Sequence, residues 1–447
     1  MSKFISSTLC LILLLSIPAA LHSENIFPYD FKIEVLENGL KIISIPLDNP
    51  FIISYYTIVR SGSRNEIEPG KSGFAHFFEH MMFKGTKDVP REDYDNFLTL
   101  LGAGTNGYTT DDYTCYFVVF AGQENLESVV KTESDRFINL FYDEEMIKSE
   151  APVIEGEYYA SASNPSRRLS ETLRNTAFDL HSYKHTTLGY LEDILDMPNQ
   201  YEYSQLYKKR FYSPDNSILL VVGDFDHDKL MEYARKYYAP WEKSNYSLVT
   251  PEEKPQTKQK RASYDWPSPT LPRLAIGFHG PAFSDETIDM AAMDLLAAVA
   301  FSSSSAFYQK LVIEEQKCQS FFASFSDHRD PYLLTFNAVL KQEKDLPEIE
   351  EEIFKELERL KNEPVDEEIL AKVKANLKYS FANSLGTTDG IAASLAHFIN
   401  LTGDPNTVNK VFELYDKITP EDIQNMTQKY FKTTNSVVVI LKEGKGQ

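Results

Sequence analysis

The sequence predicts an α+β protein built from two similar halves. In both halves, segments with the two-residue period of strands are mixed with segments of helical period, and the first half has a hairpin pattern. The length of 447 residues exceeds one ordinary domain. Residues 248–271 are polar, contain Pro251 and Pro255 and lack apolar periodicity, which is typical of a linker. We therefore expect two domains that arose by internal duplication.

The individual elements follow from the apolar patterns. A hairpin is expected at 31–45, because Asn38-Gly39 is a tight-turn dipeptide between two short apolar runs. The first half should also contain strands at 51–60 and 113–120, and helices near 72–84, 91–101 and 123–141. The second half should contain strands at 273–279 and 332–340, and helices at 284–300, 306–315, 346–362 and from Asp366 onward.

The first 23 residues have the features of a secretory signal peptide. Lys3 gives a positive start, residues 9–17 form an apolar run, and small residues precede Ser23, after which we expect cleavage. An uncleaved membrane anchor is the alternative, although the run is too short to span a bilayer. No other stretch approaches about 18 apolar residues, so the mature protein is expected to be periplasmic or secreted, without membrane attachment.

The charge and the cysteines limit the partners and the chemistry. Asp and Glu number 66 against 45 Lys and Arg, a net charge of −21, which argues against nucleic acid because its phosphates would be repelled. If many acidic residues line a cavity, they would attract basic peptides. Cys115 and Cys318 remain after signal removal, one in each half, and we expect buried thiols and not a disulfide.

The segment His76-Phe-Phe-Glu79-His80 carries the strongest functional signal. In a helix, positions i and i+4 share one face, so both imidazoles can reach one metal ion. Two His, a later carboxylate and one water would complete a catalytic zinc site, with Glu79 beside the water as general base. The alternative is a helix whose His residues make only structural hydrogen bonds. His181 and His185 are also four apart, but their segment is loop-like and lacks a suitably spaced carboxylate, which favours a structural role.

This segment resembles the pitrilysin-like inverzincin metallopeptidases, the family of insulin-degrading enzyme and mitochondrial processing peptidase. In that family a Glu ligand follows the second His after some 76 residues, and 76 residues separate His80 from Glu157 here. Glu155 is the alternative ligand. A supporting Glu seven residues before the ligand corresponds to Glu150. Pro152 is unusual inside a helix, so the helix with Glu157 is expected to begin near 152, which leaves the role of Glu150 open.

The resemblance covers essentially the whole mature chain. It includes Arg60-Ser-Gly-Ser-Arg64, Asn106-Gly-Tyr-Thr109 with Asp112, Thr114 and Tyr116, the segment from His181 to Gly189, Tyr212-Ser-Pro214 and Val221-Val-Gly-Asp224. It implies two homologous α/β-sandwich domains, a catalytic zinc-binding domain at 24–247 and a non-metal domain at 272–447. The counterpart of the metal helix, near 289–296, has no His, so one zinc per chain is expected.

The resemblance also implies a function. The chain would be a zinc-dependent endopeptidase that hydrolyses peptides or unfolded segments, bound as an added strand on a sheet edge. Asn106 would contact the substrate backbone. Arg329 and Tyr332 are weaker candidates for substrate contacts, because their spacing does not match the family cleanly; a loop Arg and a strand-edge Tyr with structural roles are the alternative.

The expected assembly follows from the number of domains. Relatives enclose peptides between four such domains, and this chain supplies two. We expect a homodimer, with a heterodimer containing a motif-less homologue as the alternative. The family also includes non-catalytic subunits, which typically lose the ligands and the base that this sequence retains.

Overall fold

The first half of the chain forms a six-stranded sheet. In the computed structural model, which describes residues 25–48 and 51–444, its strands lie in the order β1-β2-β6-β3-β5-β4. They are β1 (Lys32–Val35), β2 (Lys41–Pro46), β3 (Ile52–Val59), β4 (Gly104–Thr109), β5 (Thr114–Ala121) and β6 (Ser217–Gly223). The predicted hairpin is β1–β2, with Val35 opposite Lys41. The predicted signal peptide lies outside the described residues.

The second half forms a five-stranded sheet with the same connectivity. Its strands lie in the order β7-β11-β8-β10-β9. They are β7 (Lys260–Trp266), β8 (Arg273–His279), β9 (Cys318–Phe325), β10 (Leu333–Leu340) and β11 (Ser436–Glu443). When β2 to β6 and β7 to β11 are each counted in chain order, both sheets run 1-5-2-4-3, and in both only the first and fifth strands pair in parallel. This shared topology supports the predicted duplication.

Helices cover both sheets. The first half contains α1 (Phe74–Met81), α2 (Arg91–Leu101), α3 (Leu126–Asn139), α4 (Glu144–Ala162), α5 (Pro165–Ala177), α6 (Leu191–Asp196), α7 (Tyr201–Phe211) and α8 (His227–Tyr238). The second contains α9 (Ile288–Ala300), α10 (Ala306–Tyr308, continued by a π-helix at Gln309–Glu314), α11 (Leu346–Asn362), α12 (Glu367–Ser384), α13 (Thr388–Thr402), α14 (Thr407–Lys417) and α15 (Pro420–Tyr430). The predicted α+β class with two domains is confirmed. No helix in the described ranges is long and apolar enough to cross a bilayer.

One helix of each half packs on the sheet of the other half. Helix α5 packs on strands β7, β8 and β11 of the second sheet, where Leu169 and Leu173 are buried beside Val439. Helix α13 packs on β3 and β6 of the first sheet, where Leu395 and Ile399 are buried in the same cluster as sheet residues. Because both helices lie between the fourth and fifth strands of their own half, the exchange is symmetric and interlocks the halves.

The predicted linker at 248–271 needs correction, because it contains strand β7. The strand pairs in parallel with β11, and its burial alternates from Lys260 to a buried Trp266. Its Lys, Arg and Asp residues obscure this period in the sequence, and its partner lies almost 180 residues later. Both cysteines, Cys115 and Cys318, are free and buried, as predicted.

Candidate metal centre

Helix α1 is held at its N-terminus by a buried carboxylate. Gly73 precedes the helix in a left-handed conformation (φ 85°), and a Cβ there would lie 2.5 Å from the carbonyl oxygen of Leu188. Glu66 accepts hydrogen bonds from the backbone N–H groups of Gly73 (2.7 Å) and Ala75 (2.6 Å). Burial raises the pKa of Glu66 well above its usual value, although both bonds act against this. Sequence reasoning missed Glu66, because only tertiary folding brings it to the helix.

The apolar face of α1 anchors the helix in the first domain. Phe74, Phe77, Phe78 and Met81 are fully buried in the main core of this half. Because positions 76 and 80 lie on another face, their imidazoles stay partly open, with 16% and 19% of each side chain exposed. The positions of the Phe and His residues in the sequence thus determine which face of the helix can bind a metal.

Helix α4 supplies the carboxylates and corrects one expectation. The helix does not begin near Pro152; it begins at Glu144, where the Asp143 side chain caps it by accepting from the Met146 N–H, and it continues through the proline. Its buried residues Ile147, Ala151, Ile154 and Tyr158 hold both sides of the proline against the core. This packing outweighs the hydrogen bond that the proline cannot donate. Glu150 therefore lies on the same helix as Glu157, two turns earlier and on the same face.

The structure brings the three predicted ligands together. One donor atom from each of His76, His80 and Glu157 lies within 4.8 Å of the others, the only such group of three in the described residues. Glu157 Oε2 is 3.4 Å from His76 Nε2, and its Oε1 is 3.7 Å from His80 Nε2. Glu155 is not part of this group, because two positions along a helix turn the side chain by about 200°. Two imidazoles and one carboxylate form a donor set that fits zinc with an open fourth position.

Glu150 lies behind His80. The His80 Nδ1–H donates to Glu150 Oε1 at 2.9 Å, and Lys84 bonds to the second oxygen of the same carboxylate. The hydrogen bond from His80 is the largest cause that lowers the pKa of Glu150 to about 2. With its proton on Nδ1, the neutral His80 ring keeps the Nε2 lone pair free for a cation shared with His76 and Glu157. The sequence leaves the role of Glu150 open, and the structure shows that it contacts His80. The sequence does not predict the contact of Lys84 with Glu150.

Electrostatics also favour a metal-binding form of the first imidazole. Burial and the neighbouring His80 lower the pKa of His76 to about 4. The ring is therefore neutral at physiological pH, and a neutral imidazole is the form that coordinates metals.

The carboxylate of Glu79 lies beside the cluster in a confined setting. Only 9% of the residue is exposed, and burial raises the pKa of its carboxyl above the usual value. The Thr109 hydroxyl donates to Glu79 Oε2 at 2.5 Å, which acts against the shift. A general base with a raised pKa is suited to accept a proton near neutral pH.

Asn106 lies on β4, one of the two edge strands of the first sheet, which pairs with β5 alone. It is exposed, and its amide oxygen accepts from the Gly107 N–H at 2.9 Å. Because side chains alternate along a strand, Asn106 points to the opposite face of β4 from Thr109. The structure therefore places Asn106 on the free edge without directing its side chain toward the ligand cluster.

Arg329 and Tyr332 lie between the two halves. The Arg329 N–H donates to Asp112 at 2.9 Å, and the Tyr332 ring stacks on His328 with centroids 3.7 Å apart. In the described part of the chain neither side chain bonds to the three clustered ligands. The next residue, Asp330, binds two groups of the first half, Arg64 at 2.6 Å and His181 at 2.9 Å.

Other His side chains also have structural partners. His181 Nδ1 accepts from the Tyr183 N–H, and His185 Nδ1 donates to the Thr186 carbonyl at 3.0 Å. These contacts agree with the structural role favoured by the sequence.

The chain has the inverzincin order H-x-x-E-H on one helix, a carboxylate on a second helix and a duplicated α+β fold. These features define the class as inverzincin-type metallopeptidases. Family models support this class over well more than half of the chain. The model described as "Insulinase (Peptidase family M16)" matches residues 54–190, and "Peptidase M16 inactive domain" matches residues 200–377. The chain belongs to peptidase family M16.

Individual relatives agree. A Helicobacter pylori protein named "Zinc protease PqqE" is 27% identical over 439 residues, covering 96% of this chain and 97% of the relative. The crystal structure of a protease from Helicobacter pylori has a TM-score of 0.86 at 26% identity and covers 93% of this chain and 99% of its own. The periplasmic protease PqqL from Escherichia coli shares the fold (TM-score 0.74, 19% identity) over 94% of this chain but only 48% of its own. A relative named as a zinc protease is thus similar to this chain over nearly its whole length.

Proposed function

We propose that this protein is a zinc-dependent endopeptidase that cleaves peptides or unfolded segments. The convergence of His76, His80 and Glu157 within 4.8 Å, beside the confined carboxylate of Glu79, carries the proposal. We assign the first three as zinc ligands, Glu79 as general base and Glu150 as the group that orients His80. One zinc per chain is proposed, in a catalytic domain at 24–247, with 272–447 as the non-metal domain.

The protein groups and the metal divide the chemistry. Zinc supplies Lewis-acid chemistry, because it acidifies a water molecule and polarises the scissile carbonyl. Glu79 accepts a proton from the attacking water and delivers it to the leaving amine. Its partly closed environment limits competition from bulk solvent for this proton.

An extended substrate fits the β4 edge of the first sheet, which is the edge strand that contacts α1. Strand β4 pairs only with β5, so its outer N–H and C=O groups are available to an added peptide strand. We propose that the backbone of β4, with the exposed Asn106, holds the substrate. Recognition through backbone groups favours unfolded chains over folded proteins. A role of Arg329 and Tyr332 remains a weaker proposal, since both are engaged between the halves.

The decisive experiment combines cleavage and metal content. Purified wild-type protein should cleave a quenched fluorescent peptide, lose this activity with a chelator and regain it with zinc. His76→Ala and His80→Ala should lose both zinc and activity, whereas Glu79→Gln should keep about one zinc per chain and lose turnover. Loss of zinc from Glu79→Gln would contradict the division between ligand and base.

The third ligand has its own test. Glu157→Ala should weaken zinc binding much more than Glu155→Ala, because only Glu157 reaches the two imidazoles. Metal analysis after dialysis against a weak chelator measures the difference. Equal zinc content in the two variants would remove Glu157 as the ligand.

A non-catalytic or partner-dependent subunit of a heterodimeric peptidase is the second candidate function.

The chain covers only about half of the PqqL chain, so a fold of that size needs two copies of the present chain. We propose a homodimer that encloses the peptide, with a heterodimer with a motif-less homologue as the alternative. Light scattering on the purified chain distinguishes them: an inactive monomer would contradict the homodimer. We also propose that residues 1–23 are a signal peptide and that the protein is periplasmic or secreted.

A further inference from the structure

The hydroxyl of Thr109 makes the shortest contact to the proposed base. Thr109 is the last residue of β4, and its Oγ1 lies 2.5 Å from Glu79 Oε2. The carboxylate belongs to helix α1 and the hydroxyl to the edge strand, so this bond joins the helix to the strand.

The direction of this hydrogen bond can be assigned from its neighbours. A threonine hydroxyl has a single proton. Thr114, paired with Thr109 across the two strands, is 3.4 Å away between Oγ1 atoms, but it donates its own proton to the Ser61 carbonyl at 2.8 Å. Thr114 therefore has no proton to give to Thr109. The Thr109 proton is free to bond to the carboxylate, its nearest acceptor.

We infer that Thr109 is a positioning residue, which holds Glu79 by one oxygen and leaves the other to work as the base. With Oε2 engaged by the hydroxyl, the carboxylate cannot rotate freely about its last torsion. Oε1 is then the oxygen that accepts the proton of the attacking water. This inference rests on the proposed peptidase function and adds which atom of Glu79 reacts.

The position of Thr109 adds a consequence for binding. The same strand that offers its free edge to the peptide fixes the base with its last residue. Because the hydroxyl points toward α1 and the substrate would lie in the plane of the sheet, the side chain does not contact the substrate directly. Removing the hydroxyl should therefore reduce kcat and leave KM nearly unchanged.

Three variants test this assignment. Thr109→Val keeps the shape and removes the hydroxyl, and Thr109→Ser keeps the hydroxyl. The matched control is Thr105→Val, on the same face of β4, whose hydroxyl donates to the Phe117 carbonyl at 2.9 Å and not to the base. For each variant, kcat, KM, zinc content and melting temperature are measured.

We expect Thr109→Val to lose about 10- to 100-fold in kcat, the range of a hydrogen bond to a charged group. Its KM should stay within about 2-fold, with full zinc content and a melting temperature close to that of Thr105→Val, and Thr109→Ser should recover most of the kcat. Wild-type kcat in Thr109→Val, an equal loss in Thr105→Val, or no recovery in Thr109→Ser would overturn the inference alone. Absence of chelator-sensitive cleavage by the wild type would overturn the proposed function as well.

Discussion

Replacing Glu150 by Gln tests whether the structure prepares His80 for metal binding. The carboxylate accepts from His80 Nδ1 at 2.9 Å and pairs with Lys84 through its other oxygen. Only 12% of the Glu150 side chain and 19% of the His80 side chain are exposed, so water cannot readily replace the lost interaction. The amide of Gln has the same size but no charge. Its NH2 group would also face either the imidazole N–H or the ammonium group of Lys84.

The size of the effect follows from the lost charge. A hydrogen bond to an ionised group contributes about 1.5–3 kcal/mol, compared with about 0.5–1.5 kcal/mol for a neutral one. Loss of a group that orients a metal-binding His typically weakens metal binding by about 10- to 100-fold, and we expect the zinc dissociation constant to rise by this amount. At about 1.4 kcal/mol for each factor of ten, this is about 1.4–2.8 kcal/mol, close to the contribution of the charged hydrogen bond. With a pKa of about 2, the Glu150 carboxyl is ionised at neutral pH, where the zinc affinity is measured.

Competition between the protein and a chromophoric chelator at neutral pH measures the zinc affinity. Glu155→Gln is the matched control, because it removes a carboxylate from the same helix but outside the ligand cluster. We expect the control to bind zinc like the wild type. If both variants bind zinc with the same affinity, the contact between Glu150 and His80 does not prepare the site, and the reasoning is refuted.

Two further predictions concern the supports of the site. Gly73→Ala should destabilise the protein by more than the roughly 1–2 kcal/mol of a left-handed alanine, because its Cβ would also meet a carbonyl oxygen at 2.5 Å. Gly102→Ala is the control: its φ is 59° and no atom lies within 4 Å of the added Cβ, so it should cost only the conformational term. Equal melting temperatures of the two variants would contradict this prediction. The second prediction concerns Asp330. Burial would raise the pKa of this carboxyl, but hydrogen bonds from His181 and Arg64 outweigh the burial and hold the pKa below its usual 3.8. The stabilisation is therefore complete above about pH 4 and is lost as the pH falls through the lower folded-state pKa. Asp330→Asn should reduce the free energy of unfolding by about 1–3 kcal/mol at pH 7 and pH 5 and by less below pH 4, as urea titrations would show.

The sequence allowed prediction of those parts of the site that repeat with a helical period. The pair His76 and His80 stands on α1, whose buried aromatic residues set the orientation of the helix. Glu157 came from a spacing shared with a known family, because no local pattern distinguishes it from Glu155. Its place in the cluster depends on how α4 packs against α1, and a local period does not encode that packing.

The remaining groups could not be predicted for a related reason. Glu66, Lys84 and Thr109 act through one or two hydrogen bonds to other elements, and no periodic pattern in the sequence marks these bonds. The same limit applied to β7, whose partner strand β11 lies at the other end of its half. The proline rule predicts a later start for α4 than the structure shows, because it does not include the packing of the apolar residues on both sides of Pro152.

The interlocked helices explain why a half without the ligand set stays part of the molecule. In the second half α9 is the first α-helix after β8, as α1 is after β3 in the first half, but among the described residues no group of three ligands forms there. Helix α13 of that half nevertheless covers one face of the sheet that contains β4, and α5 covers the second sheet in return. Removing the second half would expose the apolar residues of β3 and β6 that face α13, among them Ile58, Leu220 and Val222, at a cost of about 25 cal/mol for each Å² of apolar surface. The metal half therefore depends on its partner half for a closed core, whether or not the second half contacts a substrate.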